Sequence, residues 1–193
     1  MKTLPFCLGM VRGSEQQLAN SFGAMARKHS SDFEIHQSCK LFQQWCEGHL
    51  ERLDPFATRH GAAINPDPAR VKRALFRGPR IGGFGLLRDL QDLLLLTHQA
   101  RTGWTALTQA AKDMKECDLA EGALGCAGET DRQIDWLCTH IKNAAPQALT
   151  VPVDLAAEAE DAAPALTMKL LLGVTLAACV GVAITRFHKY AIL

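Results

Sequence analysis

Seven histidines punctuate this chain, at positions 29, 36, 49, 60, 98, 140 and 188. Imidazole nitrogen is a common transition-metal donor, and it needs acidic or thiol partners converging on the same point. His49 and His60 fall on a recurrent apolar seam, with Cys46 one helical turn before His49. His49, His98 and Glu129 are therefore the candidate metal ligands, with Glu15, Asp89 and Asp92 as further carboxylate sources. The nearest acid–histidine pairs, Glu34–His36 and Glu47–His49, are spaced two apart. On a helix that spacing sets side chains about 200° apart, so neither pair grips one ion from one face.

Cys7, Cys39, Cys46, Cys117, Cys126, Cys138 and Cys179 make an odd count with no CxxC pair. That pattern predicts free thiols in a reducing compartment rather than a disulfide framework. Cys39 and Cys46 suggest a thiol sensor, but seven helical residues span roughly 10 Å, too far for a direct disulfide. The sequence holds no P-loop, no G-x-G-x-x-G, no nucleophile elbow and no zinc-finger spacing. No catalytic residue is predicted, and the chain reads as non-enzymatic.

Helices must position these side chains. Aromatics are only 6% of the 193 residues, and the formal charge is +1. That balance argues against a whole-chain polybasic or polyacidic binding strategy, and nucleic acid is not an expected partner. Periodicity predicts a first helix over 14–28, capped by Ser14, with Leu18, Phe22 and Met25 on one stripe. A second covers 31–60, with Ile35, Cys39, Phe42, Cys46, His49, Leu53, Phe56 and His60 inward. Pro55 should kink or restart it. A third, 85–114, carries Leu86, Leu90, Leu93, Thr97, Ala100, Trp104, Leu107, Ala111 and Met114. A fourth, 116–145, points Ala123, Ala127, Thr130, Ile134, Leu137, Ile141 and Ala144 inward before Pro146 stops it.

The connection from Gly61 to Gly85 is rich in Gly and Pro and carries Arg70, Lys72, Arg73, Arg77 and Arg80. This basic loop would suit anionic headgroups. Beyond the bundle (1–145), residues 146–167 read as an acidic Pro/Ala linker. Residues 168–186 read as a single transmembrane helix, whose Gly173, Ala177 and Gly181 form a small-residue pairing face, and 187–193 as a short tail. The expected localisation is therefore a single-pass, tail-anchored membrane protein with a cytoplasmic N-terminal head. Its partners would be membrane lipid and a protein partner or second copy met through the transmembrane helix.

The phrases FRGPRIGGFGLLRDLQDL and ETDRQIDWLCTHIKNAAPQAL, with the helix lengths and the long second connection, resemble uncharacterised bacterial ferritin-like proteins. The resemblance covers about 14–145. It implies an all-α, ferritin-like four-helix bundle with a long crossover loop, and a two-iron centre built on bridging Glu residues and Glu-x-x-His pairs. No Glu in this chain is followed three positions later by His, so the expectation is no cofactor, with iron or another metal as the alternative. The leading functional expectation is a membrane-tethered, non-enzymatic scaffold or accessory subunit of a membrane-associated assembly. The alternative is a metalloprotein handling iron or oxidants at the membrane surface.

Overall fold

A computed structural model describes residues 3–62, 76 and 82–150. Four helices account for nearly all of them: α1 (Thr3–Lys28), α2 (Phe33–His60), α3 (Gly82–Asp113) and α4 (Cys117–Thr150). The chain divides into two units, Met1–Val151 and Pro152–Leu193, and the second lies outside the described residues.

Helix α2 shows the local logic most clearly. Asp32 caps its start, its side chain accepting from the Ile35 N–H at 3.1 Å. Gly61 ends it in the left-handed region at φ 65°, and the Ala62 N–H returns to the Ala57 carbonyl. Pro55 neither breaks nor restarts this helix, which is continuous from Phe33 to His60. An interior proline costs about 3 kcal/mol, and the flanking buried residues Leu53 and Ala57 hold the segment in place. Helix α1 begins eleven residues before Ser14, at Thr3. Pro5 sits in its first turn, where the missing N–H has no helical acceptor to lose. Pro146 lies inside α4, which continues to Thr150 rather than stopping.

Contacts between named residues define the topology. Lys28 near the end of α1 meets Asp89 near the start of α3, so these two run antiparallel. Arg52 meets Glu129, and Arg59 meets Glu116, so α2 and α4 are antiparallel as well. Helices α2 and α3 therefore run parallel, and the connection between them returns the chain to the end where α2 began. The result is a four-helix bundle with α1–α2, α3–α4, α1–α3 and α2–α4 as neighbouring pairs. The α2–α4 side is the loosest of the four. Helices α1 and α3 approach closely at Gly103, where a Cβ would stand 3.1 Å from Val11 Cγ2.

Two apolar clusters fill the interior. One gathers Leu18, Phe22, Phe42, Leu90, Leu93 and Leu137; the other gathers Leu8, Val11, Leu53, Trp104, Leu107 and Leu119. Each buried Leu or Phe contributes on the order of 2 kcal/mol. Between these clusters along the chain fall Glu15, His49, Glu129 and Gln133, which form a polar layer.

The expected membrane architecture needs correction. Among the described residues no helix is long and apolar enough to cross a membrane. Length is not the obstacle, since the four helices run 26, 28, 32 and 34 residues. Their exposed faces carry charges, such as Glu47 and Glu51 on α2 and Asp131 and Arg132 on α4, that lipid would not accept. The described residues accordingly form an all-α four-helix bundle, and none of its helices is the added transmembrane helix. No described helix supports the tail-anchored, single-pass localisation. The segment 168–186 and its Gly173, Ala177 and Gly181 lie outside the described residues, as do Arg70, Lys72, Arg73, Arg77 and Arg80.

Candidate metal centre

All four helices send a polar side chain into the layer between the clusters. Glu15 arrives from α1, Cys46 and His49 from α2, Trp104 from α3, and Gln133 from α4, all fully buried. Glu129, also on α4, completes the layer at its outer edge with a side-chain exposure of 21%. Cys46 and His49 are three apart on α2, so they share a helix face and meet the core together.

The hydrogen bonds form one chain from core to surface. The Trp104 indole N–H donates to Glu15 Oε1 at 2.6 Å. The second Glu15 oxygen, Oε2, lies 3.0 Å from His49 Nδ1. On the opposite side of the ring, His49 Nε2 is 2.8 Å from Glu129 Oε2. Arg52 then donates to both Glu129 oxygens, at 3.2 and 3.4 Å, and touches Cys126 Sγ at 3.6 Å. Trp104 presents its ring edge-to-face to His49, with centroids 5.6 Å apart. Carboxylates thus face both ring nitrogens of His49.

Burial moves the acidities of the groups around this chain. It pushes the Cys46 thiol well above its usual value, and the neighbouring Glu15 charge adds to that, while the Gln133 amide pulls the other way. Burial also lifts Cys126 to about 11, against the lowering effect of Arg52. For Glu129 burial again acts upward, but the hydrogen bonds from His49 and Arg52 outweigh it and hold its carboxyl below the ordinary range.

Glu15, Cys46 and His49 make a cluster that could hold a metal ion. One ligand atom from each lies within 4.8 Å of the other two, and all three residues are buried. Their supports come from other side chains: Trp104 on Glu15, Glu129 on the far nitrogen of His49, and Gln133, whose amide nitrogen is 3.6 Å from Cys46 Sγ. Gln133 Oε1 is buried without a hydrogen-bond partner, an orphaned acceptor-type atom beside the cluster. These donors fit one ion. They do not fit the two-iron arrangement that the ferritin-like resemblance implies, because the layer offers one histidine and two carboxylates, one of them tied to Arg52.

Of the residues singled out from sequence, His49 and Glu129 meet directly, and Glu15 joins them. His98 does not: it faces solvent on α3, and its carbonyl accepts from Thr102. Asp89 lies at the α1–α3 end, bonded to Lys28 at 2.6 Å and His29 at 3.0 Å, and Asp92 accepts from the Phe76 N–H. Trp104, Cys126 and Gln133 had no assigned place in a site. A four-three spacing running from Leu4 through Leu8, Val11, Glu15, Leu18, Phe22 and Met25 would have placed Glu15 in the core.

Fold and site together define an all-α four-helix bundle with a buried Glu–Cys–His cluster. No protein-family model matches this chain, and no curated protein matches it.

Proposed function

We propose that this protein is a metal-binding bundle that holds one divalent ion of the zinc class on Glu15, Cys46 and His49. The observation that supports it is the separate support behind each donor: Trp104, Gln133 and Glu129 orient the carboxylate, sulfur and imidazole in turn. Such outer partners are what metal sites use to aim their ligands. A thiolate, an imidazole and a carboxylate together favour zinc and its first-row neighbours, and the ion itself would supply Lewis acidity. The chain's own residues contribute a dry, rigid cradle. Helix α2 delivers two donors from one face, α1 the third, and the apolar clusters on either side exclude water.

The test is elemental analysis of the full chain, purified after growth with zinc, iron and manganese. One ion per chain is expected. Glu15→Gln and Cys46→Ser should lower occupancy, and Glu116→Gln, at the bundle's end, should not. Saturating zinc at a hundred times Kd should add about 2.7 kcal/mol to unfolding stability. A chain that carries no ion, and whose unfolding midpoint zinc and chelator leave in place, overturns the proposal.

A second reading, a non-enzymatic accessory or scaffold bundle that binds a protein, draws on exposed apolar side chains. Phe33 and Leu149 are 77% and 65% exposed, and both belong to the end of the bundle where α2 begins and α4 finishes. Its test is co-purification. A partner that survives salt washing and is lost with Phe33→Ser and Leu149→Ser supports it, and loss of no partner refutes it.

A further inference from the structure

Glu15, Cys46 and His49 are all fully buried, so an ion reaching them needs a route. The α1–α3 side is closed at this level by the approach of Val11 to Gly103 and by the buried Trp104. The α2–α4 side is the loosest in the bundle, and charged or polar side chains bridge it along its length. Glu34 meets His140, Arg132 lies over Trp45, Arg52 meets Glu129, and Arg59 meets Glu116.

Among these bridges, the Arg52–Glu129 pair is the one that touches the buried chain. Glu129 Oε2 is 2.8 Å from His49 Nε2, while its partner Arg52 is 50% exposed. The two Arg52–Glu129 bonds, 3.2 and 3.4 Å, exceed the 2.7–2.9 Å typical of strong charge-assisted pairs. A half-exposed pair of this kind opens at little cost.

We propose that Arg52 and Glu129 gate the α2–α4 side, Glu129 being the carboxylate a divalent cation meets first and Arg52 the charge it displaces. This rests on the metal-binding reading of the buried cluster. The acidic group at the mouth draws a cation in, and the guanidinium closes the mouth when no cation is passing. Arg52 is not a ligand in this scheme. Its removal therefore changes how fast the ion moves more than how tightly it is held.

Cobalt(II) is the probe, because its near-ultraviolet charge-transfer band with a thiolate reports arrival at Cys46. Stopped-flow mixing of cobalt with the metal-free full chain gives the association rate, and competition with chelator gives the dissociation rate. Arg52→Gln should raise both on the order of tenfold, leaving Kd within about threefold. Glu129→Gln should slow association. Arg52→Lys, which keeps a charge but not the fork, should fall between wild type and Arg52→Gln. Arg59→Gln, on the same side but away from the cluster, should match wild type. Rates in Arg52→Gln equal to wild type, or a change confined to dissociation, overturn the gate while leaving the metal site standing. No thiolate band in the wild-type protein overturns the metal-binding reading itself, and the gate with it.

Discussion

Replacing His49 with Ala should be among the most destabilising single changes in this protein, and the structure says why. His49 is fully buried and bonded on both sides, to Glu15 at 3.0 Å and to Glu129 at 2.8 Å. Without it Glu15 is left buried with the Trp104 N–H and the weakly donating Cys46 thiol. Removing one partner of a buried pair costs about 3–5 kcal/mol, mostly from the charge left behind. Glu129 loses less, since Arg52 and solvent remain. Against a total stability of about 5–15 kcal/mol, that is about a fifth of the whole or more. The double variant Glu15→Gln/His49→Ala separates causes. Gln keeps an acceptor for Trp104 but removes the stranded charge, so it should recover about 2 kcal/mol of the loss. The assay is urea unfolding at neutral pH with chelator present, which keeps metal binding out of the comparison. His140→Ala, whose partner Glu34 is 72% exposed, is the control and should cost less than about 1 kcal/mol. A His49→Ala loss below about 1 kcal/mol, or a double variant no more stable than His49→Ala, would refute the buried-charge reasoning.

Three other outcomes follow from the same layer and its surroundings. Burial raises Cys39 to about 12, Cys126 to about 11 and Cys46 well above its usual range. Raised folded values mean stability is whole below the unfolded thiol value of 9.0 and is lost as pH climbs toward 11–12. Unfolding at pH 10 against pH 8 should show a loss of about 1.4 kcal/mol per buried thiol, and a thiol reagent should reach the exposed Cys117 while sparing these three. Glu129 runs the other way: its lowered value gives stability that is present above the ordinary 4.5 and is lost as pH falls below it. Acid titration of unfolding should therefore flatten in Glu129→Gln. Trp104→Phe removes the indole donor to Glu15 and also empties ring volume from a fully buried site, so it should cost at least about 1–3 kcal/mol in thermal or urea unfolding.

The bundle was largely legible in the sequence because helix periodicity depends on local spacing alone. Ile35, Cys39, Phe42, Cys46, His49 and Leu53 are buried as the four-three rhythm on α2 predicts, and so are Leu90, Leu93, Thr97, Ala100, Trp104, Leu107 and Ala111 on α3. Periodicity drifts where helices diverge. On α4 the inward position passes from Thr130 to Gln133 rather than Ile134, a residue's turn that only packing against α2 and α3 decides. Proline was the main source of misread boundaries. Pro55 and Pro146 both lie within helices, and at Pro55 the flanking burial of Leu53 and Ala57 makes the lost hydrogen bond tolerable.

The site was legible by half, and the missing half has one cause. Residue type announces His49 and Cys46 as donors, and helix spacing sets them on one face. What spacing within a helix cannot report is which residue on another helix stands opposite. Glu15 and Glu34 are chemically alike, yet one is buried against His49 and the other is mostly exposed beside His140. Their difference lies in the neighbours four and three positions away: Glu15 has Val11 and Leu18, the arms of an apolar stripe, whereas Glu34 has Ser30 and Gln37. A carboxylate at a core position of an apolar stripe must find a donor in the core or the helix will not pack there. In this chain that demand is met by an indole and an imidazole from two other helices, so Glu15 fixes how α1, α2 and α3 register against one another.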